Sequence, residues 1–345
     1  MRPLLGRSLV AVARGTHLGP CRLGHRGRPA APLGSRILTQ PEHVFRHNMW
    51  DHVQWSEEEK DAARQKAREN SAERVPREEQ DKYDRDAHKF WDDFYGMHQN
   101  KFFKDRRWLF LEFPELLPPN PDCGAARAGQ SGSNESAEAA GSSFRILEVG
   151  CGAGNSVFPI ITSIRDGRAF LYCCDFSPRA VQLVKEHPDY DPSLCHAFVQ
   201  DVCEETASFP FPPCSLDVIL AVFVLSSIRP ERVQSVLHRL AQHLKPGGIF
   251  LFRDYGRHDL SQLRFKKGQC LSDNFYARQD GTCVYFFTAD EVRRLFTSAG
   301  LTELQNLEDR RLQVNRGKKV VMRRVWMQAK FQKPQTTPTD VTHQP

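Results

Sequence analysis

A short apolar segment that runs directly into a glycine-rich turn constrains the fold of this chain more than any other feature. It reads Ile146-Leu-Glu-Val-Gly150-Cys-Gly152-Ala-Gly154-Asn, with glycines at alternate positions. Glycine lets the backbone turn sharply and lets a ligand approach where a Cβ atom would collide. A dinucleotide site favours the spacing G-x-G-x-x-G, whereas this chain has E-x-G-x-G-x-G. The segment therefore predicts a strand, a ligand-binding turn and a helix start.

From residue 144 onward, short apolar runs alternate with helical stretches. The apolar runs predict strands at 144–149, 169–174, 196–200, 216–225 and 249–253. Helices are predicted over 155–165, 178–187, 230–244 and 288–298. Residues 302–315 and 319–331 both look extended, with a turn at Gly317-Lys318. The pattern predicts an α/β fold with a doubly wound, mostly parallel sheet that ends in an antiparallel hairpin.

The chain before this segment has a different character. Residues 40–117 are predicted to be helical, with a capping box at Ser56-Glu-Glu-Glu59 and a break at Pro76. Residues 118–143 are rich in Gly, Ser and Ala, which cannot bury enough apolar surface to order themselves. We therefore predict a helical domain at 33–117, a flexible linker at 118–143, a catalytic domain at 144–334 and a disordered tail at 335–345.

The net charge of +6 is concentrated at the N-terminus. Seven arginines and no acid or lysine precede Glu42, with apolar residues between them. That composition is typical of a mitochondrial transit peptide, which we place at residues 1–32, and it predicts a location in the mitochondrial matrix. The alternative is a basic tail that stays attached. Removing residues 1–28 would leave equal numbers of basic and acidic residues, so the mature body is neutral.

Composition also excludes several classes of protein. No stretch approaches the roughly 20 apolar residues of a membrane helix. The ten cysteines include no C-x-x-C pair, and zinc sites need paired ligands at short spacing. We therefore expect reduced thiols, no metal and no membrane association.

Two acidic residues at predicted strand ends accompany the glycine turn, whose spacing resembles the S-adenosylmethionine loop of class I methyltransferases. Asp175 ends the second strand, where a carboxylate can accept hydrogen bonds from ribose hydroxyls. Asp201 ends the third strand and precedes Val202, where an acid and an apolar residue would meet an adenine. Each aspartate could instead cap the following helix.

Trp91 and Tyr95 lie four residues apart, and hence on one face of a predicted helix. Aromatic faces attract cations such as the sulfonium of that cofactor. Helical spacing alone favours core packing as the explanation of this pair.

Basic residues interleaved with aromatic ones suit unstacked bases and their phosphates. Three such segments predict RNA contacts at Lys101, Lys104, Arg106, Arg107, Arg264, Lys266, Lys267, Arg310, Arg311 and Arg316. A single basic run is usually a solvated face, but three in a neutral body indicate segregated charge. Asp254, in the loop after the fifth strand, is a candidate to stabilise developing positive charge; its alternative role is to support the turn at 253–256.

Together these segments resemble the tRNA N3-methylcytidine methyltransferase family, with most likeness to its mitochondrial member. The likeness spans about residues 33–334 and includes Ser35-Arg-Ile-Leu38, Asn48-Met-Trp-Asp51, Phe102-Phe-Lys-Asp-Arg106, Tyr172-Cys-Cys-Asp-Phe176, Phe252-Arg-Asp-Tyr-Gly256, Leu263-Arg-Phe-Lys-Lys267, Tyr285-Phe-Phe-Thr288 and Asp309-Arg-Arg-Leu-Gln-Val-Asn-Arg316. The linker looks shorter than in the family, and valines at 202 and 222 replace bulkier residues.

The resemblance implies S-adenosylmethionine as cofactor and cytidine 32 of the anticodon loop, in mitochondrial threonine and serine tRNAs, as substrate. It implies cofactor contacts at Trp91, Tyr95, Gly150, Asp175, Asp201, Val202 and Val222, which reverses the core-packing preference for the two aromatics. Mitochondrial seryl-tRNA synthetase is a candidate protein partner. The alternatives are a protein or small-molecule methyltransferase on the same fold, or a tRNA-binding adaptor without catalysis.

Overall fold

The computed structural model describes residues 36–118, 144–165 and 168–335. The predicted transit peptide and nearly all of the predicted linker and tail lie outside these residues. Within the described ranges, no helix is long and apolar enough to cross a membrane.

Residues 36–118 are here called the helical arm. Ser56 begins its first helix with the predicted capping box, since Ser56 and Glu59 each accept a hydrogen bond from the other's backbone N–H. Pro76 immediately precedes the second helix. The elements are β1 (Met49–Trp50), α1 (Glu57–Ser71), α2 (Arg77–Arg85), α3 (Ala87–His98) and α4 (Leu109–Glu112). The prediction of helices throughout 40–117 is wrong at β1, because this strand exists only through pairing with a distant segment.

From residue 144 onward, the chain alternates strands and helices as predicted. The elements are β2 (Phe144–Val149), α5 (Val157–Ser163), β3 (Ala169–Asp175), α6 (Pro178–Lys185), β4 (Cys195–Val199), β5 (Leu216–Val222), α7 (Pro230–His243), β6 (Leu244–Tyr255), α8 (Leu260–Leu263), β7 (Cys270–Ser272), β8 (Phe275–Ala277), β9 (Cys283–Tyr285), α9 (Ala289–Ser298), β10 (Thr302–Asn315) and β11 (Val320–Gln332). Pro230 stands in the first turn of α7, and Thr288 and Glu291 form a second capping box at α9.

The main sheet has eight strands in the order β1-β10-β11-β6-β5-β2-β3-β4. The five strands from β6 to β4 are parallel, whereas β11, β10 and β1 pair antiparallel. This confirms the class I methyltransferase layout, a mostly parallel sheet finished by an antiparallel hairpin. From β2 the chain continues outward through β3 and β4, then returns to the other side with β5 and β6. The carboxyl ends of β2 and β5 therefore flank the crevice where ligands of such sheets bind.

Apolar residues fill both faces of this sheet. One cluster lies under α7 and α9 and includes Leu237, Phe252 and Phe296; the other lies under α5 and α6 and includes Ile146, Ile160 and Leu171. Cys173 and Cys174 are fully buried free thiols, as expected of small core residues.

A second sheet of three short strands, β7-β8-β9, was not predicted from the sequence. Each strand has only three residues, which is too short for a recognisable alternation of apolar and polar positions. The helical arm docks on this sheet: Val75 and Tyr83 join Leu271, Phe275 and Cys283 in one apolar cluster. The small sheet therefore connects the arm to the main sheet.

Candidate active site

A cavity opens at the carboxyl ends of the parallel strands, between the main sheet and the helical arm. Its empty space, including the open mouth, is about 1020 Å³. The sheet contributes Gly150 after β2, Asp175 at the end of β3, and Asp201 and Val202 after β4; the arm contributes Trp91 and Tyr95 from α3. Six of the seven residues predicted to hold the cofactor thus line one cavity.

The glycine turn is shaped so that larger residues would not fit. Gly150 has φ +65°, and a Cβ atom there would lie 2.3 Å from the Val224 side chain. Gly152 has φ +53°, and its Cβ would lie 2.5 Å from the Tyr95 hydroxyl. Both glycines adopt the left-handed conformation that only glycine tolerates without strain. The turn therefore lies directly beneath the ring of Tyr95.

Asp175 is buried and holds the turn from the neighbouring strand. One carboxylate oxygen accepts a hydrogen bond from the Gly152 N–H at 2.9 Å, and the other accepts one from the Ser177 N–H at 3.0 Å. Burial raises the pKa of Asp175 to about 6, against the lowering effect of these backbone donors. Each carboxylate oxygen retains a second acceptor site. The side chain can therefore support the turn and still receive hydrogen bonds from a bound hydroxyl.

Asp201 and Val202 form the next part of the cavity wall. One Asp201 carboxylate oxygen accepts a hydrogen bond from the Cys203 N–H at 2.8 Å, so the aspartate shapes its own turn. Val202 is buried with 8% of its surface exposed and belongs to the apolar core as well as to the cavity wall. This pair presents one acceptor and one apolar side chain to the cavity.

Trp91 and Tyr95 cover the opposite side of the cavity. Their rings stack with centroids 5.9 Å apart, and Tyr95 is buried while Trp91 is partly exposed. Helix α3 is fixed over α6 because the Asp92 carboxylate accepts hydrogen bonds from the Ser177 hydroxyl and the Arg179 N–H. The rings pack with Ala153 and Ala180, as core packing predicts, and they also line the cavity.

Arg106, predicted to bind RNA, instead points beneath the glycine turn. Its side chain is 14% exposed, donates a hydrogen bond to the Ser156 hydroxyl at 2.7 Å and lies 3.6 Å from the Glu148 carboxylate. Burial raises the pKa of Glu148 to about 7, although Arg106 acts to lower it. The predicted RNA contact at Arg106 is therefore wrong, since this arginine connects the helical arm to residues on either side of the glycine turn.

Two further predicted site residues face away from the cavity. Val222 is buried in the core at the end of β5, because alternation along the strand places it on the same side as Val218 and Leu220. Asp254 is fully buried, and its two oxygens accept hydrogen bonds from the N–H groups of Ser226 and Tyr255 at 2.9 and 2.8 Å. Burial raises the pKa of Asp254 to about 6. This geometry favours the supporting role over the catalytic one.

Several cavity residues were missed by sequence reasoning. Phe223 and Val224 follow β5, and Phe223 adopts a left-handed conformation with φ +58° that no sequence pattern signalled. Asp84 of the arm also lines the cavity, and its carboxylate lies 2.7 Å from Arg232 and 3.5 Å from Arg229. These pairs depend on how the arm packs on the sheet, which the sequence does not state.

The remaining predicted RNA-binding residues occupy the outer surface, with one exception. Lys101, Lys104, Arg107, Arg264, Lys266, Lys267 and Arg316 are exposed, and Arg310 is partly exposed. Arg311 is buried with 8% side-chain exposure and pairs with Asp309 and Glu112 at 2.9 Å and with Asp51 at 3.5 Å. Its predicted RNA contact is wrong, because Arg311 lies on the side of β10 that faces Glu112 of the arm. Arg310 lies on the other side, 28% exposed, with its guanidinium over the Trp55 ring.

The cavity fits the cofactor expected from the sequence. The glycine turn packs closely against Val224 and Tyr95 at the cavity wall, two strand-end carboxylates offer acceptors for hydroxyl and amino groups, and two aromatic rings line the same space. Asp175 would hold the ribose, Asp201 with Val202 the adenine, and Trp91 with Tyr95 the sulfonium end of S-adenosylmethionine. Among the described residues, no group of three or more His, Cys, Asp or Glu side chains is arranged to hold a metal ion.

Comparison with known proteins identifies the family of this chain. A family model described as a methyltransferase domain matches residues 147–250. The tRNA N(3)-cytidine methyltransferase METTL2 of Danio rerio is 54% identical over 314 residues, covering 87% of this chain and 89% of that protein. The tRNA N(3)-cytidine methyltransferase METTL8, mitochondrial, of Mus musculus is 48% identical over 252 residues, covering 59% of this chain and 89% of that protein.

Among solved structures, a SAM-dependent methyltransferase from Methanosarcina mazei is 16% identical, with a TM-score of 0.42 over 56% of this chain and 94% of that one. The family assignment rests on the sequence relatives, whose identity and coverage are high along most of the chain. This chain belongs to the tRNA N(3)-cytidine methyltransferase family.

Proposed function

We propose that this protein is an S-adenosylmethionine-dependent enzyme that forms N3-methylcytidine at position 32 of the anticodon loop of mitochondrial threonine and serine tRNAs. The observation that carries the proposal is the cavity in which the glycine turn, Asp175 and Asp201 meet Trp91 and Tyr95 of the helical arm. Relatives named tRNA N(3)-cytidine methyltransferases, similar over most of the chain, supply the substrate class.

The chemistry needs little from protein side chains. When bound, S-adenosylmethionine supplies an electrophilic methyl group. Cytosine N3 carries a lone pair and no proton, so the new N–C bond forms as the S–C bond breaks, without a general base. S-adenosylhomocysteine leaves, and the methylated base keeps a positive charge. Catalysis is therefore mainly the alignment of two reactants, which agrees with the supporting role of Asp254.

The walls of the cavity perform that alignment. Strands β2, β3 and β4 carry the residues that would hold the cofactor, so the acceptor base would enter on the β5 side, beside Phe223 and Val224. Trp91 and Tyr95 cover the cavity and exclude water from the reacting atoms. The faces of the two aromatic rings would also attract the positive charge of the sulfonium.

The mitochondrial part of the proposal rests on composition and on one relative. The arginine-rich, acid-free residues before Glu42 are typical of a transit peptide, and the mouse METTL8 relative is named as mitochondrial. METTL2, whose name carries no such location, is similar over more of this chain. The resemblance adds mitochondrial seryl-tRNA synthetase as a partner, to be tested by whether that enzyme raises the methylation rate.

Transfer of tritium from labelled S-adenosylmethionine separates this proposal from its alternatives. We expect label in tRNA, and among purified tRNAs in the mitochondrial threonine and serine species with cytidine at position 32. Label in protein or in small molecules would indicate the same fold acting on another substrate, and tRNA binding without transfer would indicate an adaptor. Imaging the chain with and without residues 1–32 tests the matrix location.

A further inference from the structure

Large apolar side chains are exposed at the end of α3 and in the loop that follows it. Phe102 is 55% exposed, Phe103 38% and Met97 79%. We call this surface, formed by Met97, His98, Phe102 and Phe103, the aromatic edge. Contiguous exposed apolar residues usually mark a binding surface.

The rings of the aromatic edge form a connected series that ends at the cavity. Phe102 lies 4.9 Å from His98, 4.8 Å from Phe103 and 5.0 Å from Phe94, measured between ring centroids. Phe94 is buried and lies 5.3 Å from Trp91, which lines the cavity. A planar group stacked on Phe102 would therefore lie on the outer end of the aromatic series that covers the cofactor.

Two hydrogen bonds of Asn155 attach the same loop to the glycine turn. The Asn155 carbonyl, directly after Gly154, accepts a hydrogen bond from the Arg106 N–H at 2.8 Å. The Asn155 side-chain amide donates to the Phe103 carbonyl at 3.3 Å. The aromatic edge is thus held at a defined position relative to the reaction site, as a substrate-positioning surface requires.

The charges around the aromatic edge identify its occupant as a polyanion. Lys101 and Lys104 flank Phe102 and Phe103 and are exposed. Within the described ranges, no carboxylate lies at ion-pair distance from either lysine, although Asp93 and Asp105 are exposed nearby in the sequence. Exposed aromatics between unpaired lysines are typical of single-stranded nucleic-acid sites, whereas lysine is depleted at protein interfaces.

We propose that the aromatic edge is a stacking site for an unpaired base of the substrate RNA, next to the cytidine that enters the cavity. Phe102 provides the stacking face, and Lys101 and Lys104 contact the flanking phosphates. This inference rests on the proposed function, because it places a loop nucleotide of the tRNA beside the methylated one.

The test measures binding of a fluorescently labelled anticodon stem–loop RNA to the full chain at several salt concentrations. Phe102→Ala is expected to weaken the affinity about tenfold without changing the salt dependence, because it removes stacking and no charge. Phe102→Tyr keeps the ring and is expected to bind like the wild type. The double variant Lys101→Ala with Lys104→Ala is expected to make the salt dependence weaker. The negative slope of log affinity against log salt should become less steep by about 1.4.

Matched controls separate stacking from a general loss of apolar surface or of the fold. Leu304→Ala removes a side chain of similar exposure, 52%, from β10 and is expected to leave RNA affinity unchanged. Affinity for S-adenosylmethionine and the melting temperature are expected to stay the same in all four variants, since the mutated side chains are exposed.

Two outcomes overturn the proposal in different ways. If the wild type binds the RNA and Phe102→Ala binds it equally well, the aromatic edge is not the stacking site, as expected if it were a protein-docking surface. If the wild type does not bind the stem–loop at all, the proposed function fails and the stacking site fails with it.

Discussion

At the scale of single residues, the site could be predicted wherever backbone position alone fixes the role. The glycines of the turn and the aspartates at the ends of β3 and β4 follow from the order of strand, turn and helix, and the structure brings them together. Val222 and Asp254 could not be placed in this way, because one residue of alternation decides whether a side chain faces the cavity or the core. Arg106 and Arg311 look like surface arginines in the sequence, and only long-range packing buries them.

Asp175 gives the residue-scale prediction, since burial raises its pKa to about 6. The folded-state pKa lies above the ordinary value, so the carboxylate becomes protonated as the pH falls through about 6 and loses acceptor strength toward ribose hydroxyls. We expect the affinity for S-adenosylmethionine, measured by calorimetry, to fall about fivefold between pH 6 and pH 5.

The variant Asp175→Asn serves as the control for this pH dependence. It is expected to bind the cofactor weakly at every pH, with a flat profile between pH 6 and pH 5. Glu148, whose pKa is raised to about 7, lies beneath the same turn, and any dependence that persists in the variant reports Glu148 instead. Wild-type affinity that stays constant from pH 7 to pH 5 would contradict the role assigned to Asp175.

At the scale of elements, local signals predicted the helices and long strands well. Capping boxes at Ser56 and Thr288 and the proline at 230 mark true helix starts. Strands β1 and β7 to β9 escaped because two or three residues carry no periodicity, and their existence depends on partners far along the chain. The contact between the helical arm and the main sheet escaped for the same reason.

The buried ion-pair network around Arg311 is one such contact, and it joins β10 to the arm. Arg311 pairs with Asp309 and with Glu112 of α4. Although burial alone would raise it, the guanidinium groups of Arg253 and Arg311 hold the pKa of Asp309 below its usual range. Removing one partner leaves buried carboxylates uncompensated, so we expect Arg311→Ala to lower the free energy of unfolding by about 3–5 kcal/mol.

Urea unfolding monitored by circular dichroism measures this loss. Arg316→Ala is the matched control, because Arg316 is exposed and its side chain donates a hydrogen bond to the Asn48 side chain at the surface. We expect its unfolding midpoint to stay near that of the wild type. Equal midpoints for the two variants would contradict the structural role assigned to Arg311.

At the scale of the whole molecule, the distribution of charge is more informative than its sum. The excess of +6 belongs to the arginine-rich N-terminus, and the body without it is neutral. Within that body, exposed basic residues follow the loop after α3, the segment after α8 and the outer side of β10. The sequence predicted this segregation of charge. Only the fold shows that the loop after α3 is held to the glycine turn by a hydrogen bond from Asn155.

The fold also explains why the two halves of the chain act as one enzyme. The main sheet supplies the glycine turn and the two aspartates, whereas the helical arm supplies the rings of Trp91 and Tyr95 that cover the cavity. Neither half alone encloses the space. The arm therefore forms one wall of the proposed cofactor site.

The most direct test of this account compares methyl transfer to two anticodon stem–loop RNAs that differ at one ring position of a single base. One carries cytidine at position 32, and the other carries 3-deazacytidine, in which a C–H group replaces N3. With purified wild-type protein and labelled S-adenosylmethionine, we predict incorporation into the first RNA, recovered as N3-methylcytidine by mass spectrometry, and none into the second. Equal incorporation into both RNAs, or methylated protein with neither RNA modified, would contradict the account.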